Sequence, residues 1–131
     1  MARIVTTESM EQPYRTSCTN GHSTWFADEP ESNGGLDTAP TPSELLLSAI
    51  GTCVTITLRM YARRKEWPVE KIKLDLRLES VKKENGDIKH IIYETLYLTG
   101  ELTEEQKDRM KSLIPKCPVS KIVTGEVEIK W

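Results

Sequence analysis

Residues 41–65, TPSELLLSAIGTCVTITLRMYARRK, constrain the fold more than any other stretch of this chain. The start is specified three times over. Thr41 suits an N-cap, Pro42 suits the first helical position, and Glu44 stands where a capping box needs its acid. Beyond it, Leu45, Leu46, Ala49, Ile50, Val54, Ile56, Leu58 and Tyr61 cover most of a helix circumference. The pattern predicts a core helix, apolar nearly all round and wrapped by a sheet or by another helix. Gly51 costs about 1 kcal/mol relative to alanine inside a helix, which points to another backbone packed close against it.

The chain has 131 residues, the length of one domain, and can bury a sizeable core. Its 18 basic and 20 acidic residues give a formal charge of −2, so the basic excess that nucleic acid demands is missing. The opening MARIVTTES has no apolar run, and no signal peptide is expected. Hydroxyls, Gly51 and Arg59 interrupt the long helix, making it a poor membrane span. The three cysteines, Cys18, Cys53 and Cys117, are odd in number and far apart, against both a disulfide framework and a zinc site. With His22 and His90 the only histidines, no metal and no cofactor is expected, and the expected compartment is a reducing cytoplasm.

Three short strands are predicted before the helix: 3–8, with Ile4 and Val5 as anchors, then 14–18 and 22–27 around an Asn20-Gly21 turn. A Gly-, Pro- and acid-rich loop, 28–40, delivers the chain to the helix, which Trp67-Pro68 ends. Residues 69–82 alternate, with Ile72, Leu74, Leu76 and Leu78 on one face, and Asn85-Gly86 returns the chain as 88–100. In that second strand Glu94 shares a parity with Ile92, Leu96 and Leu98. Ile91, Tyr93 and Tyr97 make the opposite face apolar too, as in a central strand or a subunit contact. Thr103 and Gln106 open a helix running to about residue 114, Pro118 opens another after Cys117, and 126–131 alternate as a terminal strand. The order is that of one α+β domain spanning 1–131.

Few side chains here invite chemistry. Cys53, mid-helix, reads equally as an ordinary buried thiol, far from the helix N-terminus and its dipole. Cys117 stands at a helix N-cap, where free backbone donors and the dipole favour a thiolate; otherwise it packs a joint between helices. A redox pair needs their Cα atoms within about 7 Å, which sequence spacing leaves open. Cys18 has no companion that suggests a role. Arg15 suits either an exposed strand position or the stabilisation of a thiolate. At about 100° per residue, Glu44 lies opposite Cys53 on the helix, and Ser43 shares its side better. Arg59, Arg63 and Arg64 read as solvating the helix end.

The loop from Gly34 to Pro40, the run Pro42 through Cys53 and the triplet Cys117-Pro118-Val119 together resemble the OsmC/Ohr family of small thiol-dependent peroxidases. The order of elements fits along essentially the whole chain. The resemblance implies an intertwined homodimer, with two central helices wrapped by antiparallel sheet from both subunits. It implies that a Cys53 thiolate reduces a hydroperoxide, more readily an organic one, and that Cys117 resolves the product as a disulfide for a dithiol reductant to reopen. It also implies an activating arginine, for which Arg15 is the nearest match. One position departs: the family's glutamate directly after the proline is Ser43 here. That departure keeps two other readings open, a stress-associated protein that binds an apolar or thiol-bearing ligand without turnover, and a thiol- or persulfide-transfer enzyme.

Overall fold

The computed structural model describes residues 3–131, and the chain divides into two units, Met1–Leu46 and Leu47–Trp131. In the first, strands β1 (Thr6–Ser9), β2 (Thr16–Thr19) and β3 (Thr24–Ala27) pair antiparallel in that order. The Asn20 side chain makes the turn by accepting from the backbone N–H groups of His22 and Ser23 at 2.9 and 2.8 Å. The first strand begins later than its apolar residues suggest. Ile4 and Val5, expected as anchors, are 83% and 57% exposed.

The loop after β3 is tied down by a buried acid. Asp28 accepts from the backbone N–H of Glu29 (2.8 Å) and from both the N–H (3.1 Å) and hydroxyl (2.6 Å) of Thr38. Led by the Thr38 hydroxyl, these bonds hold its carboxyl below the usual range. The Thr41–Glu44 capping box forms as predicted, with the Thr41 N–H donating to Glu44 at 2.9 Å and the Glu44 N–H to Thr41 Oγ1 at 3.2 Å.

Helix α1 (Pro42–Lys65) leads into the second unit and ends as Glu66 turns into left-handed conformation. Strands β4 (Val69–Lys82) and β5 (Ile88–Gly100) then form a long antiparallel pair. Their inward residues Ile72, Leu74, Leu96 and Leu98 pack against Val54, Leu58, Tyr61 and Ala62 of α1. Helix α2 (Glu104–Lys111) carries the Thr103–Gln106 capping box and adds the fully buried Met110; it ends short of residue 114, where a 3₁₀ turn (Ile114–Lys116) takes over. Helix α3 (Pro118–Thr124) starts at its proline, with Cys117 as N-cap.

Within the second unit α1 is covered along one side, with Ile56 and Met60 54% and 67% exposed. Four expectations are corrected, the first of them about the length and composition of α1. By length and composition α1 does reach what a membrane span requires, despite its interruptions, but the Val54–Leu58–Ala62 stripe lies in the protein core. Second, the neighbour at Gly51 is a side chain, Leu76, whose Cδ1 would lie 2.6 Å from an added Cβ. Third, residues 126–131 form no strand, because no partner takes up their backbone groups in a ladder; Ile129 and Trp131 are exposed. Fourth, β5 is half of a two-stranded sheet rather than a central strand. Its tyrosine face is open, with Arg77 4.4 Å above Tyr93 and Lys73 5.1 Å from the Tyr97 ring centre.

Candidate active site

The second unit brings two of the three cysteines together. Cys53 is half-buried on α1 beside the core cluster, and Cys117 is a fully buried member of that cluster. Cys53 and Thr57 lie close enough to Cys117 to act on its thiol, Cys53 raising its pKa and Thr57 lowering it. Residues 53 and 57 are one helical turn apart, so α1 presents both to the same neighbour. Cys117 also donates to the Leu113 carbonyl at 3.6 Å. All three cysteines are free thiols.

The electrostatics differ from what an N-cap position suggests. Cys117 does occupy the N-cap of α3, but its side chain makes no capping bond and is fully buried. Burial raises its thiol above the ordinary value and outweighs the Thr57 hydroxyl; the nearby Cys53 and Glu94 push the same way. A seven-residue helix has little dipole to set against loss of water. The site therefore favours the protonated form of the Cys117 thiol.

Glu94 and Thr57 were not singled out as site residues by the sequence. Glu94 carried a signal, as the one acid on the inward parity of β5. Leu96 and Leu98 on that parity pack into the cysteine cluster. One Glu94 carboxyl oxygen is buried with no hydrogen-bond partner, and loss of water raises the carboxyl above its ordinary range. An acid so shifted favours the folded chain below the ordinary carboxylate range. That contribution is lost as pH rises through the folded value.

Arg15 belongs to the N-terminal unit. There its guanidinium donates to the carbonyl and hydroxyl of Thr38, at 3.1 and 2.8 Å, and lies 4.2 Å from the Phe26 ring centre. Cys18, in the same unit, is buried on β2. Arg59 does not solvate the helix end: it donates to the carbonyls of Val69 and Glu70 at 2.9 and 3.1 Å, where β4 begins. Among the described residues no group of three or more His, Cys, Asp or Glu side chains suits a metal ion.

Residues 34–131, which include both cysteines, match the model of the OsmC-like protein family. The chain belongs to that family. Solved structures agree in fold. An OsmC-like protein from Mycoplasma pneumoniae superposes with a TM-score of 0.79 at 16% identity, over 95% of this chain and 89% of that one. An organic hydroperoxide resistance protein OsmC from Legionella pneumophila gives 0.70 at 18% identity, over 99% and 94%. The organic hydroperoxide resistance protein OhrB of Bacillus subtilis gives 0.67 at 18%, over 99% and 96%. A search of the curated proteins finds no match. This OsmC-like chain thus has the α+β fold that its helix and strand pattern predicted.

Proposed function

We propose that this OsmC-like protein is a two-cysteine peroxidase that reduces organic hydroperoxides. The packing of Cys53 against the buried cluster that holds Cys117 carries the reading. Cys53 is the accessible sulfur of the pair, because Cys117 is fully buried. The Cys53 thiolate attacks the distal oxygen of the hydroperoxide, the O–O bond breaks, and the alcohol leaves with a proton. Cys117 then attacks the resulting sulfenic acid; an S–S bond forms and water departs. A dithiol reductant supplies the two electrons that reopen the disulfide. The apolar residues packed around Cys53 favour an alkyl or aryl hydroperoxide over hydrogen peroxide. Such a cycle belongs in a reducing compartment, the cytoplasm.

Intact mass tests this directly. One equivalent of cumene hydroperoxide is expected to remove two hydrogens from the wild-type chain and to add one oxygen, on Cys53, in Cys117→Ala. Slow oxidation spread over all three cysteines would sink the peroxidase reading and favour a ligand-binding protein of the same fold.

The second copy of this chain is the proposed cover for the open face of α1, where Ile56 and Met60 are unburied beside the shallow groove lined by Thr52, Thr55 and Leu74. A homodimer is expected in sedimentation at micromolar concentration. Paired Ile56→Lys and Met60→Glu substitutions are expected to shift it to monomer, and a wild-type monomer at every concentration would overturn the assignment.

A further inference from the structure

The joint between the end of α1 and the start of α2 holds a cleft lined by Tyr61, Trp67, Thr103, Glu105, Gln106 and Arg109, with no cysteine among them. Its volume, about 340 Å³, falls in the range of small-molecule sites. Part of the lining is aromatic: half-buried Trp67 stands edge-on to buried Tyr61, with ring centres 5.3 Å apart. The rest carries donors. Arg109 gives its Nε hydrogen to the Tyr61 phenol oxygen at 3.1 Å, which pins the guanidinium and leaves both terminal nitrogens without a partner among the described residues. Gln106 uses its side-chain oxygen in the capping box, accepting from the Thr103 N–H at 2.9 Å, and its amide nitrogen is likewise unpartnered. Positive charge gathers around the same ring. Arg64 stands 5.5 Å from the Tyr61 ring centre and Lys65 and Arg109 each 5.8 Å, and none of the three forms an ion pair among the described residues. Led by the Arg109 hydrogen bond and against burial, these cations hold the Tyr61 phenol below its ordinary value. Glu105 is the one acid in the lining.

We propose that this cleft binds a small planar carboxylate, its apolar body against Trp67 and its two oxygens received by the terminal nitrogens of Arg109 and the amide nitrogen of Gln106. A guanidinium fork matches the two oxygens of a carboxylate, and the bond to Tyr61 has already removed much of the freedom that binding would otherwise cost. Three cations crowded at one ring repel one another, and an anion seated beside them relieves that repulsion. A neutral apolar molecule would leave the donors unpaired, and a bare inorganic anion would leave the aromatic lining unused. The site needs neither Cys53 nor Cys117, so it stands whether or not the chain reduces peroxides.

Fluorine NMR of para-fluorobenzoate, titrated with the full-length protein, tests this. Saturable broadening is expected at millimolar ligand, reversed by unlabelled benzoate. The neutral isostere para-fluorobenzamide is expected to bind about tenfold more weakly, a comparison that needs no variant. Arg109→Gln is expected to weaken para-fluorobenzoate about tenfold, and Arg109→Lys to recover only part of the loss, because lysine returns the charge without the fork. Glu105→Gln, which removes the one acid in the lining, is expected to tighten binding about threefold. Trp67→Leu is expected to weaken it, and Cys53→Ser to leave it unchanged. Equal binding of the acid and the amide by wild type would overturn the proposal. So would wild-type affinity in Arg109→Gln, or the absence of saturable broadening at millimolar ligand.

Discussion

Serine at position 53 is expected to lower steady-state consumption of cumene hydroperoxide by about 10³-fold or more, in line with the loss of a reaction's only nucleophile. Cys117→Ala is expected to behave differently. It keeps the first oxidation and then stalls, giving a burst of one equivalent per chain followed by slow turnover. The contrast follows from burial. Cys53 is half-exposed and can meet a substrate, whereas Cys117 is fully buried and meets only what is already bound to Cys53. Alanine is the better probe at 117, because a serine hydroxyl would sit in a cluster of Val54, Leu58 and Met110 and cost about 1–3 kcal/mol unless bonded. Cys18→Ser, on a strand of the other unit, is expected to leave both phases unchanged. Stopped-flow peroxide consumption with dithiothreitol as reductant separates the three. Equal loss in Cys53→Ser and Cys18→Ser would mean that oxidation is non-selective.

The helix start, the capping boxes, the two long strands and the helix that opens after Cys117 were legible because each is written in adjacent residues. Thr41-Pro42-Ser43-Glu44 specifies a helix wherever it stands, and the Ile72-Leu74-Leu76-Leu78 alternation specifies a half-buried strand. The failures come where the outcome depends on a distant partner. The Glu126–Trp131 alternation asks for a ladder that no strand among the described residues supplies. Gly51 announced a close approach but could not name Leu76 as the neighbour. Cys117 shows a competition between two effects. Its N-cap position is local and legible, but the burial that decides its protonation comes from α1 and α2 packing around it. Glu94 was legible as an anomaly of parity, and its meaning required knowing which face of β5 looks inward.

Alanine at Gly100 is expected to destabilise the protein by about 3 kcal/mol or more. The reason lies in the register of β4 and β5. Val69 pairs with Gly100 and Lys71 with Thr99, so Glu70 is an extra residue, and the strand bulges there. Arg59 serves the carbonyls at the bulge by donating to Val69 and Glu70. To close the ladder against this bulge, Gly100 adopts a φ of +135°, and a Cβ there would lie 2.3 Å from the Pro68 carbonyl oxygen and 3.1 Å from the Glu70 nitrogen. Both obstacles are backbone, so neither can swing aside. Gly86 supplies the control: it shares a positive φ of +92°, but nothing lies within 4 Å of its added Cβ. Gly86→Ala should therefore lose only the conformational term, about 1–2 kcal/mol. Urea denaturation of the two variants reads the difference, and equal midpoints would mean that the bulge yields to a side chain. Because Leu98, two residues before Gly100, packs against the cluster that holds Cys117, loosening this end of the sheet is also expected to slow disulfide closure. Gly86→Ala, at the far end of the same hairpin, is expected to leave that rate unchanged.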